Sequence, residues 1–400
     1  MSIIKPSRHN HITALVIGCG LALSGFHSQW LTDLTTTGDV VGFFVPSFGM
    51  AIWLMGSLMF VAYNWRALDW GEKKVFIPLL VIAGSMGLSG LVVTEGSWSD
   101  KVAPLFMGMA LLATYLMARK LGPAVFRAFI PLAAIVAVSI IFDGIVNPGK
   151  YTGGIFSNYN AVVGFMVFGA IANRGKWQWV MGTLVLVTLF FGGSLEGLFT
   201  AAVFGGVVLI REDWGKRLLL CVGITAVVVA GWVSMGNLDW LWNKVNLAIV
   251  RGWVAGDIEF TAETVDVATT GRWTNIARRA DDIRIMGRGY WITMPEQRSD
   301  GPDEIGHYEY THPDEAPVHN VPLVIVDQVG PAAGFAWLFV TIYCLVRTRW
   351  KYAWSVILIL SVFDHYVWTQ FAPYWWALAG VSTAFSLQSD LIFRTGAENT

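Results

Sequence analysis

Residues 236–330 hold the side chains best suited to chemistry. Five arginines cluster in the first part (Arg272, Arg278, Arg279, Arg284, Arg288), and three of the seven histidines fall in the last (His307, His312, His319). A guanidinium stays charged, and its planar fork can grip two phosphate oxygens at once, so these arginines suit an anionic, phosphate-bearing substrate. A neutral imidazole can take a proton from a hydroxyl near neutral pH. His319 stands where polar sequence meets an apolar stretch, whereas His307 and His312 read as solvated loop residues. Each arginine also has an alternative occupation, either a lipid phosphate or a nearby carboxylate such as Asp281 or Asp282.

The rest of the chain reads as the scaffold that positions this segment. Hydrophobic residues make up 55% of the 400 and charged residues 14%, where soluble domains average about 25% charged, so the class is all-α and polytopic in a membrane. Apolar runs of roughly 20 residues suffice to cross a ~30 Å hydrocarbon core. Twelve are expected: about 11–30, 39–63, 75–94, 102–118, 128–146, 160–173, 177–192, 198–211, 218–235, 331–347, 352–369 and 373–388. The organisation is therefore 1–235 with helices one to nine, 236–330 as a large, partly helical loop, and 331–400 with the last three helices and a tail.

Every second short connection is basic, from Arg66, Lys73 and Lys74 to Arg347, Arg349 and Lys351. Basic short loops stay cytoplasmic and long loops cross regardless of charge, which places both termini inside and 236–330 outside. The first apolar run lacks a small-residue cleavage site and is read as a retained span. Cys19, Cys221 and Cys344 all fall within expected spans, against a disulfide or a cysteine metal site. With a formal net charge of −1, nothing points to nucleic acid.

Within the outer segment, Trp240, Leu241, Trp242 and Val250 suit a helix lying at the membrane interface. Residues 256–270, acidic and threonine-rich, read as a loop. The run 271–285 reads as a helix with Ile276, Ala280 and Ile283 in one apolar stripe and Arg272 and Arg279 on another face, ended by Gly287-Arg288-Gly289. Residues 295–317, with four prolines, should be irregular.

Four features together resemble the O-antigen ligase and O-antigen polymerase superfamily, bacterial inner-membrane glycosyltransferases of the GT-C type. One is the architecture, with the main periplasmic loop between the ninth and tenth helices. Another is the run Gly154 to Ala161, containing Phe156, Asn158 and Asn160, similar to the family's Phe and paired-Asn signature. A third is Arg272-Trp273, a helix, and then the glycine-rich turn. The fourth is His319-Asn320-Val321-Pro322-Leu323 with Gly330 eleven residues after the histidine. Where the family pattern has an acid, Gln328 stands here beside Asp327, and Ala333 takes the place of a second glycine. The chain also departs at Gly193-Ser194-Leu195-Glu196-Gly197, where the family often has Ser-Arg-Gly at the end of the seventh span.

The resemblance implies an inverting, metal-independent glycosyltransferase. A glycan on undecaprenyl pyrophosphate would be the donor, with a glycan repeat or lipid A core as acceptor and membrane lipids as surroundings. It assigns His319 as the base and Arg272 as the main contact to the leaving pyrophosphate. Arg278, Arg279, Arg288, Asn160 and Asn320 would contact pyrophosphate or glycan. Glu196 would serve as a functional acid or pair with an outer arginine. No Asp-x-Asp motif is evident in the outer loops, so neither metal nor other cofactor is expected. The alternative is a transporter or flippase for a lipid-linked glycan or small solute, which would usually carry charged residues and inverted repeats within its helices. A membrane scaffold whose outer loop only binds partners is the third reading.

Overall fold

A computed structural model describes residues 8–24, 39–93, 98–146, 159–173, 176–192, 245–268, 276–277, 280–281, 283–289, 320–348, 350–363, 367–368 and 371–397. Among these residues the chain is all-helical: α1 (Arg8–Ser24), α2 (Asp39–Asn64), α3 (Lys73–Val92), α4 (Trp98–Leu121), α5 (Phe129–Val146), α6 (Tyr159–Ala172), α7 (Lys176–Gly192), α8 (Val245–Ala255), α9 (Ala262–Ala268), α10 (Val321–Val329), α11 (Pro331–Arg347), α12 (Lys351–Phe363) and α13 (Ala372–Ala397). Every expected span that falls on described residues is helical over most of its length. The stretches 198–211 and 218–235 lie outside the described residues.

The helices are apolar on both sides, which identifies their surroundings. In α3, Val75, Leu79, Ile82 and Met86 recur every three to four residues and are buried, while Ile77, Leu80, Leu88 and Val92 on the other face are exposed. In α5, Phe129, Ala133, Val136 and Ile140 are buried, and Ile135, Val138, Phe142 and Ile145 are exposed. Water would penalise such outward faces and lipid does not, so this is a helical membrane protein. The stretches Lys73–Val92, Lys101–Phe126 and Phe129–Val146 are long and apolar enough to cross a bilayer by themselves, and Pro331–Arg347 and Ala353–Val362 are shorter apolar helices.

At the centre, α4 packs along α3 and α13, and α11 packs on α3 and α12. Aromatic rings fill the interior: Trp337 stacks on Trp375 at 5.6 Å, and Trp354 meets Trp375 edge-on at 5.9 Å. Two of these buried N–H groups find acceptors, Trp375 donating to Thr341 Oγ1 at 3.2 Å and Trp354 to Ser382 Oγ at 3.0 Å. The tryptophans divide by position. Trp65, Trp98, Trp177 and Trp179 are exposed near helix ends, whereas Trp53, Trp337, Trp354, Trp375 and Trp376 are core.

Charge gathers at one end of the bundle. Arg119 Nε donates to Asp69 Oδ2 at 3.2 Å, Lys120 donates to the Ala67 carbonyl at 3.1 Å, and Tyr343 Oη donates to Glu72. Burial works to raise the Asp69 carboxyl, but the Arg119 hydrogen bond, the Gly71 N–H and the guanidinium charge hold it below its ordinary 3.8. The 20 residues of α3 separate this charged end from the opposite one by about 30 Å.

Two expectations for 236–330 change. The segment 256–270 contains α9, because Thr261 and Thr264 cap its start reciprocally: Thr264 N donates to Thr261 Oγ1 at 3.2 Å and Thr261 N to Thr264 Oγ1 at 3.0 Å. Of the interfacial helix expected over 236–250, residues 236–244 lie outside the described residues, and the described remainder is helical as part of α8. The stripe Ile276–Ala280–Ile283 is not uniformly buried. Ile276 packs on the core, Ala280 and Ile283 are exposed, and Ile283 is already outside the helix.

Candidate active site

The last four carbonyls of a helix lack intrahelical donors, and at the end of α10 three of them are met in turn. Val326 O accepts from Gly330 N at 3.0 Å. Asp327 O accepts from Arg288 N at 2.7 Å, and Gln328 O from Gly289 N at 3.1 Å. Ser89 Oγ, near the end of α3, also donates to Gln328 O at 2.8 Å. The Gly287-Arg288-Gly289 turn is therefore the external cap of α10.

Two glycines permit this approach. Gly287 (φ 70°) faces the Gln328 carbonyl so closely that a Cβ would overlap it. Gly330 (φ 95°) faces the Ile285 carbonyl in the same way. Both lie in the left-handed region that favours glycine. Neither end of the contact tolerates a side chain, so turn and helix end meet backbone to backbone.

Side chains complete the clasp. Arg288 Nε lies 3.0 Å from Asp327 Oδ1, with the arginine side chain 23% exposed and the aspartate 3%. A carboxylate so buried needs a cation beside it, and a cation at a helix C-terminus also meets the negative end of the dipole. Successive helical residues point about 100° apart. Gln328 thus faces the bundle instead, where its Oε1 accepts from Trp368 Nε1 at 2.8 Å. The neutral amide occupies the bundle-facing position, and the charge sits one residue earlier, facing the arginine.

At its other end α10 is capped by Asn320. The backbone there is extended, its side-chain oxygen accepts from Leu323 N at 3.1 Å, and Pro322 in the first turn loses no hydrogen bond. Among the described residues, no three His, Cys, Asp or Glu side chains gather so as to hold a metal.

No family model, curated protein or solved structure matches the chain. Of the residues singled out from sequence, the structure brings together Arg288 and the helix that Asn320 caps. Asn160 belongs to the first turn of α6, with its side chain outside the description. Arg272, Arg278, Arg279, Glu196 and His319 lie outside the described residues. Sequence reasoning missed Ser89 and Trp368. Both come from elements remote in the chain and carry no motif, so only the contact with Gln328 reveals them.

Proposed function

We propose that this protein is a GT-C-like glycosyltransferase of the bacterial inner membrane, with about twelve spans, cytoplasmic termini and residues 236–330 on the periplasmic face. It moves a glycan from undecaprenyl pyrophosphate to a hydroxyl acceptor. The observation that carries this reading is the docking of the turn that follows the arginine segment onto α10, the helix that begins two residues after His319. Two polar fragments far apart in sequence are thereby joined through one nine-residue helix.

In the reaction, His319 takes the acceptor hydroxyl's proton as the oxygen attacks the anomeric carbon. The bond from that carbon to the pyrophosphate oxygen breaks, and its electron pair leaves with the lipid pyrophosphate. Attack opposite the leaving group inverts the anomeric centre. Arg272, supported by Arg278 and Arg279, holds the growing charge, since fixed charge at a developing anion is commonly the largest catalytic contribution. Asn160 and Asn320 contact the glycan, the latter through the amide nitrogen that its capping role leaves unused. Glu196 orients the acceptor or pairs with an outer arginine. The lack of arginine in Gly193–Gly197 favours a glycan repeat over lipid A core as acceptor.

The test is transfer by purified protein in nanodiscs, supplied with a short glycan on undecaprenyl pyrophosphate, with and without lipid A core, in EDTA. A ladder of longer lipid-linked glycans identifies a polymerase, and glycan on the core a ligase. Folded protein that forms neither product overturns the reading. His319→Ala should abolish transfer, and Arg272→Lys should reduce it by ~10²-fold or more, because an ammonium cannot copy a bidentate grip.

A further inference from the structure

We infer that Arg288 and Asp327 form a positioning clasp that sets where the general base sits, and that Arg288 does not grip the donor's pyrophosphate. The inference rests on the glycosyltransferase reading above. Its first ground is electrostatic. Arg288 stands 3.0 Å from a carboxylate that is 3% exposed, so a pyrophosphate brought to this guanidinium would also be brought to Asp327. The neighbouring negative charge would oppose the binding that a donor site requires.

The second ground is mechanical. α10 is held at both ends: its last carbonyls by Arg288 N, Gly289 N and Ser89 Oγ, its first turn by Asn320. Nine residues at 1.5 Å each make a rod of about 13 Å. The clasp at one end thus determines where Asn320, the residue that follows His319 in the sequence, stands at the other. The eleven-residue spacing from His319 to Gly330 is then a rod length, with the base joined before the cap and the glycine placed where the turn docks. Ser89 and Trp368 seat the same helix end on the bundle, so the rod is referred to the spans as well as to the loop.

A positioning pair and a ligand-binding arginine differ in what their loss does. Full-length protein in nanodiscs carrying Arg288→Gln, Arg288→Lys, Asp327→Asn, or the exchange Arg288→Asp with Asp327→Arg is compared by amide hydrogen exchange over 284–290 and by transfer kinetics. For Arg288→Gln and Asp327→Asn alike, the Arg288 and Gly289 amides should exchange ~10-fold faster or more. In both, kcat should fall by ~10–10²-fold while the donor KM stays within about twofold. Arg288→Lys and the exchanged pair should recover part of both readouts. A rise in donor KM for Arg288→Gln with kcat and amide protection intact would make it a donor contact and overturn the clasp. Unchanged kcat in Asp327→Asn would do the same. If wild-type protein shows no transfer, the glycosyltransferase reading fails separately. The exchange data alone then judge the clasp, and unaltered protection in Asp327→Asn overturns it.

Discussion

An alanine at position 330 would have to hold a φ of 95° and push its Cβ into the Ile285 carbonyl. Gly330→Ala should therefore lower stability by about 1–3 kcal/mol, read as thermal unfolding in detergent. Gly84, in the middle of α3 with open space around it, is the control, and Gly84→Ala should change stability by no more than about 1 kcal/mol. Equal effects at the two sites would mean that the backbone contact is not what Gly330 serves. At the charged end, the Asp69 carboxyl lies below its ordinary 3.8. A group depressed on folding stabilises fully above its unfolded value and loses that contribution as pH falls through the folded one. Wild-type protein should thus lose unfolding temperature below about pH 4 more steeply than Asp69→Asn does. Asp69 is 67% exposed, so the difference should be small and should shrink further in high salt. Parallel acid limbs in the two proteins would sink the idea.

Among the elements, α10 is sensitive to single substitutions because both of its ends are held by specific groups. Asn320→Ala removes the acceptor for Leu323 N and should cost about 1 kcal/mol, whereas Asn320→Asp keeps an oxygen there and should cost less. Hydrogen exchange at the Leu323 amide reads this directly, and equal rates in wild type and the alanine variant would remove the cap. The same logic explains α9. Its acidic, threonine-rich sequence looks like a loop by composition, yet the reciprocal bonds of Thr261 and Thr264 satisfy donors that would otherwise end a seven-residue helix. Caps are legible only when the three-residue spacing is searched for, and composition hides it here.

For the molecule as a whole, the basic residues predict an orientation, and orientation can be measured without any enzyme assay. A cysteine introduced at Asp303 should react with a membrane-impermeant maleimide in intact cells. One introduced at the exposed Lys74 should react only after permeabilisation. The reverse pattern would turn the bundle over and place the clasp on the cytoplasmic side, where a periplasmic transferase could not use it. Arg119, Lys120 and Glu72 share one end of the bundle, and Ser89 with the α10 clasp holds the other.

Sequence alone determined that the chain is helical and membrane-embedded, because hydrophobic length and charge punctuation are local properties of the chain. It also singled out Gly287-Arg288-Gly289 and the run from His319 to Gly330 as separate fragments. That these two are a single structure was decided by tertiary contact alone. The bonds from Arg288 N and Gly289 N to the end of α10 join residues some forty positions apart, and no local spacing encodes such a pairing. Nor could spacing tell which of Asp327 and Gln328 faces the arginine. The helical turn between adjacent residues settles that, aiming the carboxylate at Arg288 and the amide at Trp368.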